Sequence, residues 1–115
     1  MGLIDELVKL GADENDAMER FMGNRAFYER MLKKFPKAID DNPVLPLLEQ
    51  GSFNEAIAPA HTLKGVAGNL SLTPLYKGYT KVVDDLRSGN NESAFETYKQ
   101  LLPVQQAMRE KIENC

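Results

Sequence analysis

His61 is the only imidazole in the chain, and Lys64 follows it by one helical turn. In the stretch Ala60-His61-Thr62-Leu63-Lys64-Gly65-Val66-Ala67-Gly68-Asn69-Leu70, the apolar residues Leu63, Val66, Ala67 and Leu70 recur at i, i+3, i+4 and i+7. That spacing predicts a helix with one stripe to bury. His61, Lys64, Gly65 and Gly68 have the same spacing and lie roughly opposite, so they are expected to face water. Glycine inside a helix costs about 1 kcal/mol relative to alanine, and two glycines on the outer face weaken the helix without helping it pack. Such a face suits the close approach of a partner. A neutral imidazole is a nucleophile at physiological pH. Phosphoryl transfer depends mainly on positioning and on neutralising oxygens, which a fixed positive charge at Lys64 can do. The bland alternative, a surface histidine without a role, is weakened by these neighbours.

The chemistry has clear limits. The chain holds no Gly-rich phosphate loop, no second histidine and no clustered carboxylates with magnesium geometry, so it is not expected to use ATP or to need a cofactor. A hydrolase using His61 as general base lacks a nucleophile at suitable spacing.

The elements that must hold this helix read as follows. Leu3, Ile4, Leu7 and Val8 predict a short N-terminal helix stopped at Gly11. Asp13 can cap a second helix with Ala17, Met18, Phe21 and Met22 on its apolar face, ending at Gly23-Asn24. Asn24 can cap a third, in which Phe27, Tyr28, Met31, Leu32 and Phe35 bury. Pro36 then either kinks it or starts a further turn through Ile39. Val44-Leu45-Pro46-Leu47-Leu48 reads as an apolar connector after the turn cluster Asp40-Asp41-Asn42-Pro43. Ser52-Phe53-Asn54-Glu55 has the form of a capping box that starts the histidine helix. Pro59 either bends that helix or opens a separate one. Thr73-Pro74 predicts the fifth helix, with Leu75, Tyr79, Val82, Val83 and Leu86 inward up to Ser88-Gly89-Asn90. Asn91 caps the last, whose candidate core is Phe95, Tyr98, Leu101, Leu102, Met108 and Ile112, with a kink at Pro103. The expected fold is all-α, an antiparallel four-helix bundle from the third helix onward with short N-terminal helices over one end.

Composition agrees with a single domain over residues 1–115 with a modest core, since 43% of the residues are hydrophobic. A formal charge of −3 gives no basic field for a nucleic acid. No apolar run reaches the roughly 18 residues of a membrane span, and Met1-Gly2-Leu3-Ile4-Asp5-Glu6 lacks the charged start and apolar core of a secretory signal. A cytoplasmic monomer is expected. Cys115, the only cysteine, can form neither an internal disulfide nor a zinc site.

The histidine stretch resembles the signature of histidine-containing phosphotransfer (HPt) domains, His-x-Leu-Lys-Gly-x-Ala-x-x-Leu followed by Gly. It matches at His61, Leu63, Lys64, Gly65, Ala67 and Leu70. The segment from Gly11-Ala12-Asp13 to Phe35-Pro36, including Phe21-Met22-Gly23-Asn24-Arg25 and Tyr28-Glu29-Arg30-Met31-Leu32-Lys33-Lys34-Phe35, is similar to what precedes the histidine helix in that family. Two departures stand out. Ser71 takes the place of the glycine that the family prefers, and Gly78-Tyr79 replaces a large apolar then small pair. The resemblance implies a phosphorelay intermediate in two-component signalling. It takes a phosphoryl group from an aspartyl phosphate on a receiver domain and passes it to another receiver. His61 is then the residue phosphorylated, on the ring nitrogen farther from the backbone, and Lys64 stabilises the phosphoryl group. Gly65 and Gly68 admit the receiver, and Thr62 and Asn69 border the contact. Response-regulator receivers and a hybrid sensor histidine kinase are the implied partners, and magnesium belongs to the receiver. The competing reading is a helical adaptor that binds receivers without being phosphorylated.

Overall fold

Asp13 Oδ1 accepts the Asp16 N–H at 3.0 Å, and Asn24 Oδ1 accepts the Phe27 N–H at 2.9 Å. Each satisfies a donor that the first turn of a helix leaves free. In the computed structural model, which describes residues 2–115, the helices are Leu3–Lys9 (α1), Glu14–Arg20 (α2), Arg25–Leu32 (α3) and Phe35–Asp41 (α4), then Leu45–Glu49 (α5), Phe53–Asn69 (α6), Thr73–Arg87 (α7) and Asn91–Glu113 (α8). No strand occurs among the described residues, so the protein is all-α. Nor is any helix there long and apolar enough to cross a membrane.

Four of the prolines bear on where the chain is cut and where it runs on. Pro36 would press its ring on the carbonyl four residues back, Leu32, and α3 ends at that residue; the chain restarts as α4 with Pro36 in its first turn. Pro59 and Pro103 instead lie inside α6 and α8, which run on unbroken. The segment read as a connector, Val44–Leu48, holds the short helix α5, because Pro46 sits in its first turn where no N–H is required.

The expected capping box at Ser52 is not formed. The Ser52 N–H that Glu55 would have reached is donated to the Leu47 carbonyl at 2.8 Å, closing the end of α5. The other long-helix starts are likewise shared turns. Leu72 rather than Thr73 caps α7, and Asn90 rather than Asn91 caps α8, neither with a side-chain bond. Met22, expected on the apolar face of the second helix, is 92% exposed. The helix stops at Arg20, and Met22 takes a left-handed φ of 54° that swings its side chain outward. Phe27 and Val8 are also exposed, whereas Tyr28, Leu32 and Phe35 bury as expected.

The long helices α6 and α7 pack along each other, α7 packs along α8, and α4 touches both α6 and α8. Leu63, Ala67, Tyr79, Val82, Val83, Leu86, Met108 and Ile112 fill the space between them. Small residues set the closest approaches: a Cβ on Gly78 would stand 2.9 Å from Leu101 Cδ2, so α7 lies tight on α8 there. The buried Tyr79 hydroxyl donates to Gln105 Oε1 in the same interface. Across the molecule, the Arg109 guanidinium forks onto Asp40 at 2.8 and 2.9 Å, tying α8 to α4.

Candidate functional site

α6 turns its histidine strip outward only in part. His61, Thr62, Gly65 and Asn69 are exposed, Lys64 and Gly68 are half-buried, and Leu63, Ala67 and Leu70 are buried beneath, with Val66 half-buried at the stripe's edge. Ala56 and Ala60 extend the buried face toward the helix start. Small residues on that face hold the helix close to its neighbours and leave the opposite strip standing clear.

The lysines that pair with carboxylates are Lys9, Lys37, Lys81 and Lys99. Lys64 is not among them, so among the described residues its charge is uncommitted. No group of three or more His, Cys, Asp or Glu side chains is arranged to hold a metal ion among those residues.

The two glycines differ. A Cβ on Gly65 would meet nothing within 4 Å, which fits the expectation of a cleared surface. A Cβ on Gly68 would lie 2.9 Å from Tyr76 Cδ1 and 3.1 Å from Cε1. Gly68 is therefore covered by a ring from α7 rather than open, a correction to the symmetric reading of the pair. The spacing on α6 shows which residues face outward, but it carries no information about what a neighbouring helix lays across them.

Hollows flank the strip. A cleft of about 420 Å³ is lined by Gly65, Gly68 and Asn69 of α6, Asp16 and Arg20 of α2, and Tyr76. On the other side, about 210 Å³ opens between Val66 and Asn69 and the Met31, Lys34 and Ala38 side chains. Asn69 thus stands on the ridge between the two. Thr62 lines neither.

The C-terminal end of α6 is fixed by contacts that sequence reasoning missed. The helix closes with the Ser71 N–H on the Gly68 carbonyl at 3.1 Å and the Leu72 N–H on the Ala67 carbonyl at 2.9 Å, with Ser71 at a φ of 57°. Glycine takes that conformation at little cost, which explains in physical terms why Ser71 needs compensation. Its Oγ–H donates to Asp16 Oδ2 at 2.7 Å and its carbonyl accepts the Asp13 N–H at 2.9 Å, pinning α2 on the end of α6. The Arg20 guanidinium, 2.8 Å from the same carboxylate, and then the Ser71 hydroxyl hold Asp16 below the usual carboxylate range. Tyr28 donates its buried hydroxyl to the Leu70 carbonyl at 2.6 Å. Burial first, then the carboxylates of Asp16, Glu14 and Asp13, push that phenol up to about 12. The signal for these contacts was slight: a serine after the helix, and a tyrosine within an apolar stripe.

No family model matches the chain, and searches of curated proteins and of solved structures find no similar one.

Proposed function

We propose that the protein is a phosphorelay intermediate of the HPt kind, taking a phosphoryl group on His61 from a receiver-domain aspartyl phosphate and passing it to another receiver. The observation that supports this most is the strip on α6: an exposed imidazole, an uncommitted lysine one turn on, and open space at Gly65. The Nε2 lone pair attacks phosphorus, the P–O bond to the aspartyl carboxyl breaks, and its electron pair leaves with the carboxylate. The ring keeps its Nδ1 proton and becomes a phosphoryl-imidazolium, so charge balances without an added base. Lys64 offsets the charge on the phosphoryl oxygens as it arrives. Reversal of the same step onto a second receiver's aspartate completes the relay. The protein has no ATP-dependent kinase activity of its own; a hybrid sensor histidine kinase and response-regulator receivers are its partners. The receivers supply magnesium.

The same reading treats α4, α6, α7 and α8 as an antiparallel four-helix bundle, with α3 continuing the line of α4 and α1 and α2 over one end. The contacts of α4 with both α6 and α8 support it, since they close the ring that α6, α7 and α8 begin. The domain acts as a cytoplasmic monomer.

Incubation with a receiver charged by acetyl phosphate tests the proposal. Acid-labile label is expected on the wild type and absent from His61→Gln, with Lys64→Ala labelled more slowly at an unchanged melting temperature. Label retained on His61→Gln overturns the assignment. Receiver binding without any label favours the adaptor instead.

A further inference from the structure

Resting on the proposed function, we infer that Tyr76 of α7 is a positioning residue of the receiver-docking surface, a second anchor that orients the incoming phospho-receiver about His61. Gly68 lies seven residues after His61, two turns on and on the same face, which places it about 10 Å along the helix axis. The Tyr76 ring rests there, in contact with the Gly68 backbone, so one side of it is supported by α6. The ring is nevertheless 42% exposed. It forms the wall between the cleft along α6 and a second hollow lined by Lys77, Thr80 and Asp84. A supported aromatic loses little freedom on binding, and aromatic side chains of this kind anchor protein interfaces.

Geometry explains why such an anchor is needed. A single phosphoryl contact at His61 leaves a partner free to swing about it, whereas the in-line attack needs one orientation. A contact about 10 Å away fixes that rotation, and it lies well within a patch of about 800 Å² per partner that a standard interface covers. Charge favours the same occupant. Lys64, one turn before Gly68 on the same helix, is absent from the ion pairs of the described residues, and a phospho-receiver presents an aspartyl phosphate, an anion; Lys77 beside Tyr76 is offset by Asp84 in the same hollow.

Transfer to the full chain from two donors tests this: a receiver charged with acetyl phosphate, and phosphoramidate, which is too small to touch Tyr76. Tyr76→Ala is expected to raise KM for the phospho-receiver by about tenfold or more and to lower kcat as well, since both the anchor and the orientation it sets are lost. Its labelling by phosphoramidate should match the wild type. Tyr76→Phe, which keeps the ring on Gly68, should restore the receiver KM to within about threefold, the ring rather than the hydroxyl supplying most of the contact area. An unchanged receiver KM in Tyr76→Ala overturns the inference. Equal slowing with both donors also overturns it, because a distorted α6 would act on either. Failure of the wild type to accept label from either donor sinks the phosphorelay reading itself, a distinct result.

Discussion

A methyl group added at Gly65 and one added at Gly68 would meet different surroundings, although the two positions share a helix face. At Gly65 there is open space, so Gly65→Ala should stabilise the domain by about 0.5–1 kcal/mol through helix propensity alone. At Gly68 the new Cβ would crowd the middle of the Tyr76 ring, not the end of a flexible chain. Moving the ring gives up its contact with the helix and offsets the propensity gain. Gly68→Ala is therefore expected to melt at or below the wild type, while in a Tyr76→Ala background the same substitution should stabilise. Thermal melts of the four proteins in that cycle decide the matter. If Gly68→Ala stabilises equally in both backgrounds, the ring does not press on the helix.

At the scale of elements, what could be read in the sequence was whatever depends on one helix at a time. The inward faces of the histidine helix and of α7, the caps at Asp13 and Asn24, and the punctuation by glycine all follow from local spacing and local hydrogen bonds. What depends on two elements was not legible. Gln105, absent from the expected core of the last helix, is buried with its side chain accepting the Tyr79 hydroxyl from another helix. Ser52 reads as a capping box and loses that role to α5. Ser71 is the sharpest case for the candidate site, because its left-handed backbone is a liability that only its partner on α2 makes good. Ser71→Ala keeps the backbone cost and loses the hydroxyl, so it should destabilise by about 1–2 kcal/mol. Ser71→Gly loses the same bond but relieves the backbone, and should stay within about 1 kcal/mol of the wild type. Asp16 supplies the pH dependence: its carboxyl is held below the ordinary range, so its contribution is present above the unfolded value and is lost as pH falls through the folded one. Urea titrations at acid and neutral pH should show a shallower acid loss in Ser71→Ala. A Ser71→Ala protein as stable as the wild type would mean that α2 is not pinned there.

The whole molecule is tied together by a few polar contacts set in an apolar interior, and three of the groups concerned are tyrosines. Tyr28 joins α3 to the end of the histidine helix, and Tyr79 and Tyr98 lie near each other between α7 and α8, ring centroids 6.2 Å apart. Burial is the leading cause that pushes all three phenols upward, Tyr28 to about 12. In the unfolded chain a tyrosine gives up its proton near about 10. Above that pH the unfolded state binds fewer protons than the folded one, so stability is complete below it and falls as pH rises through the folded values. Each such tyrosine contributes a slope of about 1.4 kcal/mol per pH unit once its unfolded form is ionised. For Tyr28 the window runs from its ordinary 10.0 to about 12. Tyr28→Phe makes a selective check. It leaves the Leu70 carbonyl without its donor, which should cost about 1–3 kcal/mol at neutral pH. It also removes one titrating group, so the gap to the wild type should narrow as the buffer becomes more alkaline. Denaturant midpoints of both proteins across that window provide the measurement. Two curves that fall in parallel would show that the Tyr28 hydroxyl is not held protonated by the fold.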